Sequence, residues 1–341
     1  MNEEPNKIPR RRSAGISRMA RSVWYVAKGK VELRAAPISA PQPGHALVRT
    51  LYSGISRGTE RLVLAGAVGE SEWERMRAPL QEGQFPFPVK YGYCATGCVD
   101  AGPEALMGRT VFCLHPHQDH FVAPVGMLVA VPDAVPAKRA TLAANMETAL
   151  NALWDSGAAP ADRIVVVGAG VLGLLIARLA ARLPGAEVVV IDVDAGRQGI
   201  VESFGARFTP DGATARGADV VFHTSVSGAG LDAAIACAGL EATVVEMSWY
   251  GDRAVSVHLG GTFHSQRVRL VSSQVGHVSA SHRPRWDYRR RIEAALRLLD
   301  DPLLDALVAD EIAFADTPTE LPRVLAPGAT GLAPVIRYDA P

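Results

Sequence analysis

Six residues, Gly168-Ala169-Gly170-Val171-Leu172-Gly173, have the spacing G-x-G-x-x-G, and Asp192 stands nineteen residues beyond the last of them. These residue types suit an anionic ligand that carries a ribose. Gly168 would allow a tight turn, Gly170 would let a pyrophosphate approach the backbone, and Gly173 would let a helix pack closely on a sheet. Free N–H groups at the helix start, with the positive end of its dipole, would face the phosphates. Asp192 is placed to accept the two ribose hydroxyls, and its charge would repel a 2′-phosphate, which favours NAD over NADP. Arg197 keeps NADP open, because a guanidinium there could hold that phosphate; a solvated charge on a helix is the equal alternative.

The glycines alone could be an ordinary turn, so the elements around them decide. Ile164–Val167 is a continuous apolar, β-branched run, as in a strand buried on both faces of a parallel sheet. The residues LLIARLAARL after the glycines have apolar positions at helical spacing, and Pro184-Gly185 stops them. Glu187–Ile191 reads as a second buried strand ending at Asp192. Strand, glycines, helix, strand and acid occur in the order that a dinucleotide-binding unit needs.

With 341 residues the chain is long enough for two domains with proper cores. Its 35 basic and 35 acidic residues cancel, which argues against nucleic acid as the main partner. Cys94, Cys98, Cys113 and Cys237 form no C-x-x-C pair, which suits a reducing cytoplasm and offers no disulfide framework or zinc ribbon. No run reaches the roughly 18 apolar residues needed to span a bilayer. Residues 1–20, including Pro9-Arg10-Arg11-Arg12, lack the apolar stretch of a signal peptide and read as a disordered basic tail, with Met19 as an alternative start.

Along the chain, Ser22–Ala27 and Lys30–Pro37 read as a hairpin and Ala46–Ser53 as an alternating strand. Ser53–Arg61 is a glycine-punctuated loop entering a short helix. Strand pattern returns after Phe85, at Arg109–Leu114 and at Phe121–Val125, so this region has the look of a small barrel. Ala137–Gly157 is helical. Beyond Asp192, helices at Ala195–Phe204 and Ala229–Cys237 alternate with strands at Asp219–His223, Ala242–Met247 and Val268–Ser272. Trp286–Leu299 is an amphipathic helix, followed by strands at Ala309–Ala315 and Leu332–Tyr338 with the helical Thr319–Leu325 between them. The expected class is α/β: a central doubly wound parallel sheet, and a β-rich domain assembled from both flanks. The division expected is a tail at 1–20, a catalytic domain from 21–148 plus 283–341, and a nucleotide domain at 149–282.

That layout resembles the medium-chain dehydrogenase/reductase superfamily, the alcohol dehydrogenase type, over nearly the whole chain after residue 20. The likeness rests on SGISRGTE at 53–60, PVKYGYC at 88–94, the helix with Glu147-Thr148-Ala149, GAGVLG at 168–173 with Asp192, and the closing TELPRVL…GLAPVIRY. SGISRGTE is most similar to the branch that contains bacteriochlorophyllide dehydrogenase. The resemblance implies a GroES-like catalytic domain, a Rossmann domain, and a homodimer joined through the segment near 255–275. It also implies that Thr148 and Leu172 contact the nicotinamide.

Where zinc members of the superfamily have a cysteine ligand, this chain has Ser56. Where they have the His and Glu of G-H-E it has Tyr93 and Cys94, and at the third ligand position it has Ala144. Zinc needs three or four S, N or O ligands, so no metal is expected there. His115, His117 and His120 form H-x-H-x-x-H, a possible metal set, but Pro116 makes a polar loop the alternative.

Without zinc, a side chain must donate to the oxygen where charge develops. Tyr93 is the first candidate; with an ordinary pKa near 10 it would need a cationic neighbour, Arg57 or His117, to act as an acid. It could instead simply pack at the domain junction. Ser56 could hold a proton or cap the next helix, and Glu60 could support the site or serve as a first-turn helix acid. Cys94 reads as a buried structural thiol. Ser225, Ser248 and Gln274 follow Rossmann strands on the edge where cofactors lie. Trp249, Tyr250 and Trp286 could line a substrate pocket or pack in the core.

These residues lead to a zinc-independent, NAD(P)-dependent oxidoreductase acting on a secondary alcohol or ketone, with a small-molecule substrate and neither nucleic acid nor membrane as partner. A reductase of activated C=C bonds or quinones is the enzymatic alternative. A non-catalytic NAD-binding protein is the third.

Overall fold

The structure, a computed structural model, describes residues 18–339. The tail expected at 1–20 lies outside the described residues, except that Arg18–Ala20 already belong to the first strand, Arg18–Ala27. Its antiparallel partner Lys30–Ile38 runs far enough to place Arg18 opposite Ile38, so pairing begins before the sequence pattern does. Gly29 closes that hairpin at φ +71°, which glycine adopts without a Cβ penalty.

The first half of the chain builds two sheets. Four strands pair in the order Lys30–Ile38, Arg18–Ala27, Val89–Lys90, Glu82–Gly83. A seven-stranded sheet is centred on His45–Gly54, where Ala46, Val48 and Thr50 are buried with period two. His45–Gly54 pairs with Ala95–Ala101, with His120–Pro124 and, from the far end of the chain, with Val335–Arg337. Ile336 lies opposite Ser53. The β-rich part is therefore assembled from both flanks of the nucleotide-binding sheet.

That sheet is wholly parallel, in the order Arg207–Thr209, Glu187–Ile191, Arg163–Val167, Ala218–His223, Ala238–Glu246, Arg269–Ser272. Ile164–Val167 is buried throughout, as a strand covered on both faces must be. Arg207–Thr209 was not anticipated, since three residues carry no readable period. The order reverses between Arg163–Val167 and Ala218–His223, and the crevice beyond their C-terminal ends is where such sheets take ligands.

The helix anticipated over 137–157 is two pieces, Ala137–Ala140 and Ala143–Ser156. Between them Thr141 and Leu142 donate to Lys138 and Arg139, three residues back, which tightens the turn and breaks the register. The boundary expected at residue 148 falls inside the second helix. Tyr288–Leu298 packs on that helix through Ile292, Ala295 and Leu296. Arg291 crosses the junction, its Nε donating to Glu147 at 2.9 Å and its guanidinium to Asn151 at 2.7 Å. No helix among the described residues is long and apolar enough to cross a membrane.

Candidate active site

The turn after Arg163–Val167 is shaped by its glycines. Gly168 has φ +110°, and a Cβ at Gly173 would collide with the Gly168 carbonyl oxygen. A Cβ at Gly170 would meet nothing within 4 Å, so this residue borders open space at the start of the helix Val171–Ala180. Leu172 lies in the first turn of that helix. This cradle fits a dinucleotide pyrophosphate. Asp192 closes its far side: one carboxylate oxygen accepts from Ala169 N at 2.5 Å and the other from Asp194 N at 2.8 Å.

Arg197 pairs with Asp194 at 3.1 Å and reaches the Gly331 carbonyl at 3.5 Å. Arg57 donates to Gly331 at 2.5 Å and to Ala329, and Arg61 to Leu325 at 2.8 Å. Burial, followed by the nearby Arg61 and Arg197, lowers the pKa of Arg57. Its Nε is buried without a hydrogen-bond partner among the described residues.

Ser225 and Ser248, both proposed from sequence as cofactor residues, are brought together by His223, which the sequence reading passed over. His223 Nε2 lies 2.8 Å from Ser225 Oγ, and Nδ1 lies 2.8 Å from Glu246 and 3.4 Å from Ser248 Oγ. Thr148 turns its hydroxyl back to the Ala144 carbonyl at 2.8 Å within its own helix. Gln274 accepts from Gly276 N at 2.6 Å.

In the β-rich part, the Tyr93 hydroxyl donates to Ser56 Oγ at 2.6 Å and lies 3.2 Å from Thr59 Oγ1. Ser56 makes no side-chain cap for Arg57–Ala65; instead its backbone N–H donates to Glu60 at 2.7 Å. Glu60 and His117 are fully enclosed. Glu60 Oε2 accepts from Tyr25 at 2.7 Å and faces His117 Nε2 at 3.0 Å, while His117 Nδ1 meets Ser53 at 2.7 Å and Ser53 meets Tyr338 at 2.9 Å.

This corrects two expectations. His117 has both ring nitrogens engaged behind the site and does not reach the Tyr93 hydroxyl, and Arg57 is spent on the carbonyls of residues 329–331. Without a cation beside it, Tyr93 is driven by burial well above the ordinary tyrosine range, with Cys94 raising it further. It is a hydrogen-bond donor held neutral, and not a proton source at neutral pH. Burial also raises the Cys94 thiol.

Gly54, Ser56, Cys94, Thr141, Leu142 and Asn145 line a small pocket beside these hydroxyls. Asn145 is partly exposed and its amide makes no hydrogen bond among the described residues, so its donors are free for a ligand. No motif pointed to it; its only signal was its place beside Ala144.

The positions that the resemblance assigns to zinc ligands present two neutral hydroxyls bonded to each other, Ser56 and Tyr93, the methyl of Ala144, and the Cys94 thiol, which burial keeps protonated. That donor set does not fit the ion, which takes thiolate, imidazole or carboxylate. The three histidines do not converge either. His115 stacks on Phe121 at 3.8 Å and is lowered by burial to a pKa of about 3, His117 belongs to the Glu60 network, and His120 turns to Asp119 at 3.4 Å. Among the described residues no three His, Cys, Asp or Glu side chains are grouped as a metal site.

Trp249 packs against the same hydrophobic cluster that Tyr93 borders, and Tyr250 donates to Glu246 at 3.2 Å. Trp286 lies in a separate cluster with Trp154 and His282, beneath Arg290 at 4.0 Å.

No family model matches the chain. It is similar to D-guloside 3-dehydrogenase of Escherichia coli (strain K12), 27% identical over 184 residues, which covers 50% of this chain and 53% of that protein. The match thus spans about half the length of the relative. L-idonate 5-dehydrogenase from Escherichia coli K-12 shares the fold with a TM-score of 0.78 at 16% identity, covering 96% of this chain and 100% of that one. A protein assigned as a zinc-binding dehydrogenase, from Sinorhizobium meliloti 1021 and bound to NADP, superposes with a TM-score of 0.74 at 17% identity over 94% and 99% of the two chains. The parallel nucleotide sheet and the β-rich part built from both flanks are thus the fold of these structures, and the likenesses support the resemblance to the medium-chain dehydrogenase/reductase superfamily, the alcohol dehydrogenase type.

Proposed function

We propose that this chain is a zinc-independent oxidoreductase that uses NAD, with NADP as the weaker coenzyme, to interconvert a secondary alcohol and a ketone. The observation that carries the reading is the glycine cradle closed by Asp192, together with neutral hydroxyls, Ser56 and Tyr93, at the positions that the family resemblance would give to zinc ligands. When bound, the nicotinamide supplies or accepts the hydride. Gly168, Gly170, Leu172 and Gly173 shape the turn for the phosphates, with Asp192 on the ribose and Thr148 toward the nicotinamide. The guloside and idonate dehydrogenases among its likenesses support a hydroxyl-rich substrate.

The chain's own contribution is donor placement. Tyr93 gives its hydrogen to Ser56, which leaves the Ser56 O–H free to point into the pocket beside the Asn145 amide. The pocket is about 10 Å³, room for one water, and two donors there would stabilise negative charge on the oxygen of a substrate that widens it. Glu60 fixes the Ser56 backbone from behind, and Tyr25, His117, Ser53 and Tyr338 hold Glu60 in place.

The acidity of Tyr93 favours one further reading. A tyrosine raised in this way assists carbonyl reduction weakly, and reduction of an activated C=C bond or quinone asks for less electrophilic help. Steady-state assays of ketones and polyols against enones and quinones, with NADH and NADPH, separate the two readings. Metal analysis of the same preparation should find substoichiometric zinc. Absence of binding by either coenzyme at millimolar concentration would overturn both. A homodimer joined along the edge strand Arg269–Ser272, where Leu270 is 39% exposed, completes the proposal.

A further inference from the structure

Behind the cradle lies an acid–histidine–serine chain for which the oxidoreductase reading has no use. His223 ends the strand next to Arg163–Val167, and its side chain is fully buried, at 0% exposure. The turn that follows abuts the phosphate loop: a Cβ at Gly168 would lie 3.0 Å from Ser225 N and 3.1 Å from its Cα. Gly230 gives the helix Gly228–Cys237 room to close over this cluster, since a Cβ there would overlap Ser225 Oγ.

Hydrogen-bond chemistry fixes the proton positions. An ionised carboxylate only accepts, so His223 Nδ1 carries a proton toward Glu246 at 2.8 Å. In the neutral ring Nε2 must then accept, and it takes the Ser225 hydrogen at 2.8 Å. Ser227 Oγ accepts from Gly230 N at 3.0 Å and lies 3.1 Å from Ser225 Oγ, to which it can donate. With Ser227 donating to Ser225, both hydroxyl hydrogens point inward, and the pair shows only lone pairs to the crevice. A protonated ring reverses this, because Nε2–H donates to Ser225 Oγ and one serine hydrogen turns outward.

The groups that face His223 come from three elements. From the neighbouring strand come Glu246 and, two and four residues on, Ser248 and Tyr250; Arg253 donates to the Tyr250 carbonyl at 3.2 Å. The strand on the other side contributes Val167, opposite His223, and the helix contributes Gly230. Glu246 is held below the usual carboxylate range; desolvation opposes this, and its bonds to His223 and Ser248 outweigh it.

We propose that His223, held by Glu246, is a positioning residue of the dinucleotide site that takes up a proton as the coenzyme phosphates bind, turning the Ser225–Ser227 pair from acceptors into a donor. The proposal rests on the dinucleotide reading above. Bound phosphate raises the affinity of His223 for its proton, so coenzyme binding is strongest below the free-state pKa of this ring and weakens as pH rises through it.

The test is calorimetric titration of the full chain with NADH, whose pyrophosphate stays ionised between about pH 5.5 and 8.5, in buffers of different ionisation heat. Wild type should take up a fraction of one proton per site, and its Kd should rise by up to about tenfold per pH unit on the alkaline side. His223→Asn should remove both effects. Glu246→Gln, which keeps the shape but not the charge, should move the inflection down by about one pH unit or more. A flat wild-type profile with normal NADH binding overturns this inference alone, as does an unchanged profile in either variant. If His223→Asn fails to fold, Glu246→Gln decides. Failure of wild type to bind NADH or NADPH at any pH overturns the dinucleotide reading, and this inference with it.

Discussion

Replacing Tyr93 by phenylalanine removes one hydroxyl and leaves the ring, which meets Tyr91 edge to face at 6.0 Å, in place. The lost group is a donor to Ser56 at 2.6 Å. Its partners, Ser56 and Thr59, are half-buried and can turn to water, so the folding cost is that of one ordinary hydrogen bond, about 1 kcal/mol. The catalytic cost depends on which hydroxyl faces the substrate. If Ser56 does, Tyr93 acts one bond back, and its loss costs about 1.4 kcal/mol of transition-state stabilisation, or about tenfold in kcat. Ser56→Ala removes the donor itself and should cost about 10²–10³ in kcat. The two act through one chain, so the double variant should be no slower than Ser56→Ala within about a factor of two. The measurement is kcat and KM on the best ketone at saturating coenzyme, with NADH affinity determined separately and expected unchanged. If Tyr93→Phe proves slower than Ser56→Ala, or the two losses multiply, the order of the chain assigned here is wrong and Tyr93 is the substrate's own donor.

Three further outcomes follow from named contacts. Arg291→Met strands Glu147, which is 6% exposed, without its partner, and should cost about 3–5 kcal/mol in chemical denaturation; Arg291→Met combined with Glu147→Met should recover much of that, and no recovery would remove the stranded charge as the cause. Burial lowers His115 to a pKa of about 3 from its ordinary 6.5, so the unfolded chain binds the extra proton in that window. Stability is then complete above about pH 6.5 and falls by up to roughly 1.4 kcal/mol per unit as pH drops toward 3. His115→Gln should flatten this slope in urea titrations at several pH values, and an unchanged slope would exonerate His115. Asp192→Gly removes the carboxylate that repels a 2′-phosphate and should narrow the NADH-over-NADPH preference by about tenfold or more in paired titrations; an unaltered ratio would show that Asp192 does not read the ribose.

The sequence by itself determined what local physics can determine. Ile164–Val167 is apolar enough only for a strand covered on both faces, the glycines after it are spaced for a phosphate turn, and Ala46, Val48 and Thr50 alternate as a one-sided strand must. With the family resemblance it also led to the expectation that Ser56, Tyr93, Cys94 and Ala144 hold no zinc, because ligand chemistry is a property of residue type. Tertiary structure decided everything that joins distant residues. His117 finds Glu60 across 57 residues, and His223 finds Glu246 across 23, through strand registers that no short window records. The same closure enclosed His117, turned Arg57 onto the 329–331 carbonyls and left Asn145 facing the pocket. A side chain's partners depend on which strands lie side by side, and that is settled by the burial of the whole core, after each segment's own preference has already been spent.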